Sequence, residues 1–250
     1  MTNFFLENKG VLAFAHRGDQ DSGPENTMAA FEGAVRLGFR YIETDVHTSA
    51  DGVLVIFHDH KLDRLTDQKG RIDRQDWAII RHARVAGVEP IPTLEMLLGE
   101  VPNLNVNIEP KSDAAAELLV RIIRRTRAEM RVYLGSFSDA RLRQLRSALP
   151  QVCTSMGRGE TMRARLRSMG FGLDIGSANC AQVPMSWKGI NIVDRRFLAT
   201  MKSCGLQTHV WTINDPRQMH RLVDLGVDGL MTDRPAQLKN VLISRGQWHE

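Results

Sequence analysis

Cysteine is scarce and poorly placed for cross-linking: the 250 residues hold three, Cys153, Cys180 and Cys204, odd in number, far apart and without a Cys-x-x-Cys pair. That excludes a disulfide framework and a cysteine-based zinc or redox centre, and fits reduced thiols. Long apolar runs are also lacking. The longest, residues 11–15 and 53–57, fall far short of the ~20 residues a membrane span needs. The opening MTNFFLENKG has no basic start and carries Glu7 and Lys9 where an export signal stays apolar, so a cytoplasmic protein is expected. No charge block of one sign occurs: 33 basic against 29 acidic residues leave a net charge of +4. The arginine-rich stretches 121–131 and 158–167 have no interleaved aromatics, so they read as solvated helix faces and not as a nucleic-acid surface. Neither a Pro/Gly/Ser-rich linker nor a fixed-period repeat divides the chain. A single catalytic domain over 1–250 is therefore expected.

What is present is alternation. Short apolar runs at 11–15, 40–45, 104–109, 131–135, 152–155, 189–193, 207–212 and 229–232 are separated by stretches of helical period, such as 27–37, 113–126, 138–148, 194–203 and 216–225. Strand and helix in turn imply a parallel sheet. Eight such units in 250 residues point to an α/β fold, a closed (β/α)8 TIM-type barrel. An open doubly wound sheet is the alternative, but its G-x-G-x-x-G turn is missing. Asp215-Pro216 marks a helix start, and Gly38, Gly205 and Gly226 stand where helices should stop.

The alternation breaks after Asp45. Asp51-Gly52 reads as a two-residue hairpin turn, with Ala50 opposite Val53. That register sets Asp45 opposite His58, with Glu43 two residues away on the same face. Residues 60–92, polar and irregular, read as a small insertion after the second strand, covering one mouth of the barrel.

In such barrels the reactive groups stand at the carboxyl ends of the strands. Glu43, Asp45 and Glu109 come from adjacent strands and face inward. Three carboxylates cannot share a barrel interior uncompensated. A hard divalent cation, Mg²⁺ or Ca²⁺, accounts for them better than a structural network with Arg17 and Lys111 alone. The oxygen-rich donor set argues against zinc. His16 and His58 flank the cluster and suit proton transfer, one as acid and one as base. Arg17 and Lys111 supply fixed positive charge for a phosphoryl group, and Trp211 makes a wall for a small organic substrate.

In chain order, His16-Arg17-Gly18, Pro24-Glu25-Asn26-Thr27, Glu43-Thr44-Asp45-Val46, Phe57-His58-Asp59, Ile108-Glu109-Pro110-Lys111, Val210-Trp211-Thr212-Ile213-Asn214 and the closing Asp228-Gly229-Leu230-Met231-Thr232-Asp233-Arg234-Pro235 resemble the glycerophosphodiester phosphodiesterase family. The similarity is dense up to Lys111 and after Gln207, and thin between 140 and 203. It implies a TIM-type barrel that hydrolyses glycerophosphodiesters to glycerol 3-phosphate and an alcohol, with a divalent cation. On matching positions it implies His16 and His58 as the acid/base pair, Glu43, Asp45 and Glu109 as metal ligands, Arg17 and Lys111 as phosphate contacts and Trp211 on the substrate side. Competing expectations are a lysophospholipase D-like or cyclising lyase activity on lipid phosphodiesters, and a barrel that binds phosphate metabolites without turnover. The sequence carries no signal for oligomeric state.

Overall fold

The computed structural model of the chain describes residues 4–6 and 10–249. Eight parallel strands form a nearly closed barrel: β1 (Leu12–His16), β2 (Tyr41–Thr48), β3 (Asn105–Pro110), β4 (Val132–Leu134), β5 (Cys153–Thr154), β6 (Cys180–Pro184), β7 (Gln207–Trp211) and β8 (Gly229–Thr232). Hydrogen bonding runs β5-β4-β3-β2-β1-β8-β7-β6, and a parallel bridge from Ser155 to Cys180 joins the two ends. The helices α1 (Met28–Arg36), α2 (Leu94–Glu100), α3 (Asp113–Thr126), α4 (Asp139–Ala148), α5 (Arg158–Arg167), α6 (Arg195–Ser203), α7 (Pro216–Leu225) and α8 (Pro235–Ser244) follow the eight strands in turn.

Strand periodicity decides what fills the barrel. In β3, Val106 and Ile108 belong to the core between sheet and helices, while Asn107 and Glu109 point inward. In β2, Ile42 and Val46 face the helices, leaving Tyr41, Glu43 and Asp45 for the interior. The interior is therefore graded along its axis. At the amino ends of the strands Phe14, Tyr41 and Tyr133 close it with a turn at Phe4–Leu6, which inserts Phe5 at 5.2 Å from the Tyr41 ring and 5.4 Å from the Tyr133 ring. At the carboxyl ends the same inward file becomes acidic. Apolar packing holds the bottom, and the charged groups collect toward the cavity at the other end.

The structure corrects the sixth strand. Residues 189–193 do not enter the barrel; β6 is Cys180–Pro184. Its inward positions hold Cys180 and Gln182, so no clean apolar run betrays it. Ile190–Asn191 instead pairs antiparallel with Ser186–Trp187 across the turn Lys188-Gly189, both at positive φ, 48° and 80°. This is a second excursion at the same mouth. The 158–167 stretch is helical as expected but is not wholly solvated: Arg165 pairs with Asp194 at 2.7 Å, and Glu160 is buried.

The hairpin after β2 is also corrected, by one residue. Val46 pairs with Ile56 and Thr48 with Leu54, and Ser49 N–H donates to Val53 C=O at 2.9 Å. The loop thus holds residues 50–52, with Gly52 left-handed at φ 85°. Phe57, not His58, lies opposite Asp45, its N–H donating to the Asp45 carbonyl at 3.0 Å. A one-residue slip exchanges the faces of a strand. His58 escapes that consequence because the return strand ends at Ile56 and the chain turns into the mouth. The segment beyond is more than polar cover: Phe57, Leu62, Ile72, Ile80, Val85 and Ile91 make a small core of their own beneath it.

Candidate active site

The residues singled out in the sequence meet in one cavity of about 440 Å³ at the carboxyl ends of the strands: His16, Arg17, Glu43, Asp45, His58, Glu109, Lys111 and Trp211 all line it. Register explains the convergence. His16 is the neighbour of Glu43 across β1–β2, and Asp45 is the neighbour of Glu109 across β2–β3. Oxygens of Glu43, Asp45 and Glu109 lie within 4.8 Å of one another.

The loop after β1 is shaped by backbone demands. Arg17 and Asn26 both sit at φ 60°. Arg17 N–H donates to the Glu43 carbonyl at 2.9 Å, and Asn26 N–H to the Arg17 carbonyl at 2.9 Å. Gly18, at φ 89°, passes so close to α1 that a Cβ there would stand 2.7 Å from the Ala30 backbone. The strand and helix approach each other through that missing side chain. Asn26 uses the proximity: its amide donates to Asp45 Oδ2 at 3.2 Å and accepts from Thr44 Oγ1 at 2.7 Å.

Electrostatically the three carboxylates differ. Burial, and then the charge of Asp45, push Glu43 up to about 8, and its buried Oε2 has no hydrogen-bond partner. Burial would also raise Asp45, but Lys111 at 2.6 Å and Arg17 at 3.4 Å outweigh it and hold that carboxyl below its usual value. Lys111 reaches Glu109 too, at 2.9 Å. Two cations thus face three acids, and one buried carboxylate oxygen, Glu43 Oε2, has no hydrogen bond and only a 3.6 Å approach from His16 Nε2. An orphaned oxygen among hard oxygen donors is what a divalent cation would complete, so the residues fit such an ion.

Each histidine is held by its own carboxylate. His16 Nδ1 bonds Asp233 Oδ1 at 2.5 Å, and its Nε2 lies 3.6 Å from Glu43. Burial would lower His16, but Glu43 and then Asp233 overcome it and raise the imidazole above its usual value. Asp233 is fixed by Asn214 at 2.8 Å and Gln20 at 3.2 Å. His58 Nδ1 bonds Asp59 Oδ1 at 2.7 Å. With Nδ1 engaged on both rings, Nε2 is the nitrogen each offers to a reactant.

Several contributors escaped the sequence reading. Asp59 and Asp233 belong to motifs quoted above, and it is their roles as histidine partners that the sequence does not declare. Arg64 stands in no motif. It arrives from the inserted segment to donate to both Asp59 oxygens, at 2.7 and 3.0 Å, and to Glu25 at 3.3 Å, while Glu25 accepts from Arg17 at 2.8 Å. Arg158, Met162 and Trp187, on the far wall, come from the stretch where motifs are thin, and Phe137 stands just before it.

Residues 16–237 match the model of the glycerophosphoryl diester phosphodiesterase family. A protein of Mycobacterium tuberculosis named probable glycerophosphodiester phosphodiesterase 2 is 40% identical over 254 residues, covering 98% of this chain and 95% of that protein. A glycerophosphodiester phosphodiesterase of Caldanaerobacter subterraneus subsp. tengcongensis is 33% identical, covering 94% and 99%. Among solved structures, an Oleispira antarctica phosphodiesterase in complex with the product sn-glycerol-3-phosphate superposes with a TM-score of 0.80 at 23% identity, covering 94% of this chain and 97% of that one.

Proposed function

The chain belongs to the glycerophosphoryl diester phosphodiesterase family, and from that premise we propose that it hydrolyses glycerophosphodiesters to glycerol 3-phosphate and an alcohol, with a divalent cation, Mg²⁺ or Ca²⁺, held by Glu43, Asp45 and Glu109. The observation that carries the reading is the convergence of three carboxylates within 4.8 Å beneath two carboxylate-anchored imidazoles. The cation would act as a Lewis acid toward the phosphate oxygens.

The chain's own residues divide the remaining work. Arg17 and Lys111 line the cavity and now neutralise the acids; once the acids are committed to a cation, both ammonium and guanidinium can face the phosphate. A new P–O bond forms to the attacking oxygen and the ester P–O bond to the leaving alcohol breaks. One imidazole Nε2 takes the proton from the attacking oxygen, and the other delivers a proton to the leaving one. Trp211, its edge against Phe137 at 5.8 Å, walls the organic part of the substrate. The barrel and segment 60–92 act as one catalytic unit, since Arg64 of that segment reaches the anchor of His58. Among the described residues no helix is long and apolar enough to cross a membrane. All three cysteines are free, as suits the reducing cytoplasm.

The test is a coupled assay of glycerol 3-phosphate release with chelator and metal add-back. Turnover should vanish with chelator and return with Mg²⁺ or Ca²⁺. His16→Ala and His58→Ala should each lower kcat about 10²–10⁴-fold with the fold intact. Unimpaired turnover in both variants overturns the acid/base roles.

A further inference from the structure

The cavity has a second half, and its chemistry is unlike the first. From β4 round to β8 the wall is apolar and aromatic, with Phe137, Met162, Trp187, Ile192 and Trp211. Among the described residues lining that half there is a single charged side chain, Arg158, and no carboxylate. Arg158 is exposed at the rim, its guanidinium carbon 4.9 Å from the centre of the Phe137 ring. Two acids, on its own helix and the neighbouring one, are taken. Asp139 accepts the N–H groups of Gly159 and Glu160 at 2.8 and 3.0 Å, and Glu160 grips Arg146 through two bonds of 2.6 and 2.9 Å. A second cation lies against a wall residue: Lys188, at the tip of the 186–191 hairpin, is 4.8 Å from the Trp187 ring centre.

We propose that this half of the cavity holds the leaving alcohol and that Arg158 selects, among glycerophosphodiesters, those whose alcohol carries negative charge over those carrying a quaternary ammonium. This deepens the phosphodiesterase reading and rests on it. A choline group needs an acid or an open aromatic face. Here the wall offers no acid, and two of its three aromatic faces, Phe137 and Trp187, already carry resident cations, leaving Trp211 with its ring against Phe137. A second phosphate or a carboxylate finds in Arg158 a planar donor pair that no other group among the described residues occupies.

Three water-soluble substrates that differ in the charge of the leaving alcohol make the test: glycerophosphocholine, glycerophosphoglycerol and bis(glycerophospho)glycerol, at +1, 0 and −1 respectively. Initial rates of glycerol 3-phosphate release are counted per scissile end. kcat/KM should rise from the cation to the anion by about fivefold per unit charge, the scale of one charge interaction a few ångströms away at a wet surface. Arg158→Gln should compress the anion-to-choline ratio about 25-fold, to near one, and Arg158→Glu should reverse it. The readout is that ratio, because a loss of folded enzyme lowers all three rates alike. Choline turned over as well as the anion, or a ratio unmoved by both variants, overturns the inference while leaving the hydrolase standing. No release from any of the three would remove the hydrolase reading and the inference with it.

Discussion

Glu43 is the residue under greatest constraint. It is 6% exposed, with one oxygen unpartnered and its carboxyl pushed up to about 8 by burial and Asp45. Glu43→Gln keeps the shape and removes the charge. Without metal, that substitution should raise the melting temperature by a few degrees, since about 1 kcal/mol moves Tm by ~2–4 °C in a chain of this size. With metal, kcat/KM should fall at least about 10²-fold, and titration calorimetry should show metal affinity lowered by a similar factor. Arg64 is the opposite kind of residue, exposed and remote from the cavity, yet tied at once to the anchor of His58 and, through Glu25, to Arg17. Arg64→Ala should lower kcat about tenfold with KM less affected, and guanidinium added to the buffer should restore part of it. Arg64→Lys should recover less than full activity, because one ammonium cannot span both oxygens of Asp59 and also reach Glu25. The eight candidates that meet in the cavity were legible because they are charged or aromatic groups on, or just beyond, the inward files of the barrel strands. Arg64 was not, because only the fold of segment 60–92 brings it to Asp59.

At the scale of elements, helices announced themselves more clearly than strands. α3 begins and ends where its period does, at Asp113 and Thr126, with Ser112 accepting the Ala115 N–H as its cap. β6 was invisible because its inward side chains serve the cavity: Gln182 bonds Asn107 at 3.0 Å across the barrel, and polar function replaced the apolar pattern that marks a strand. The hairpin after β2 slipped by one residue because Asp51-Gly52 suits a two-residue turn, while Ser49 also bonds Val53 and Asp51, and so favours the longer loop. Gly18 tests how tightly two elements are joined. Gly18→Ala must force a Cβ into the α1 backbone at φ 89°, so it should cost about 2–4 kcal/mol in a urea titration. It should also lower kcat, because Arg17 and Asn26 flank that loop.

For the whole molecule, acid sensitivity follows from histidines buried in neutral form. His209 is fully buried inside the barrel and pushed down to about 3 by burial; His47, near the mouth, is pushed down to about 4. Between those values and the ordinary 6.5 the unfolded chain binds protons that the folded chain refuses, so stability falls as pH falls through that window. From pH 7 to pH 5, His209 should account for about 2 kcal/mol of that loss. In His209→Gln, denaturation curves at the two pH values should draw together by about that amount. An unchanged gap would mean the ring is already protonated in the barrel.

Lys111, bridging Asp45 and Glu109 at 2.6 and 2.9 Å, has one more consequence. On the proposed reading it would work as a tethered place-holder: a monovalent counter-ion that the chain itself carries to the acids when no divalent one is bound. Stripping the proposed cation should therefore leave circular dichroism unchanged and the protein fully rechargeable, whereas in Lys111→Met the stripped form should lose that reversibility.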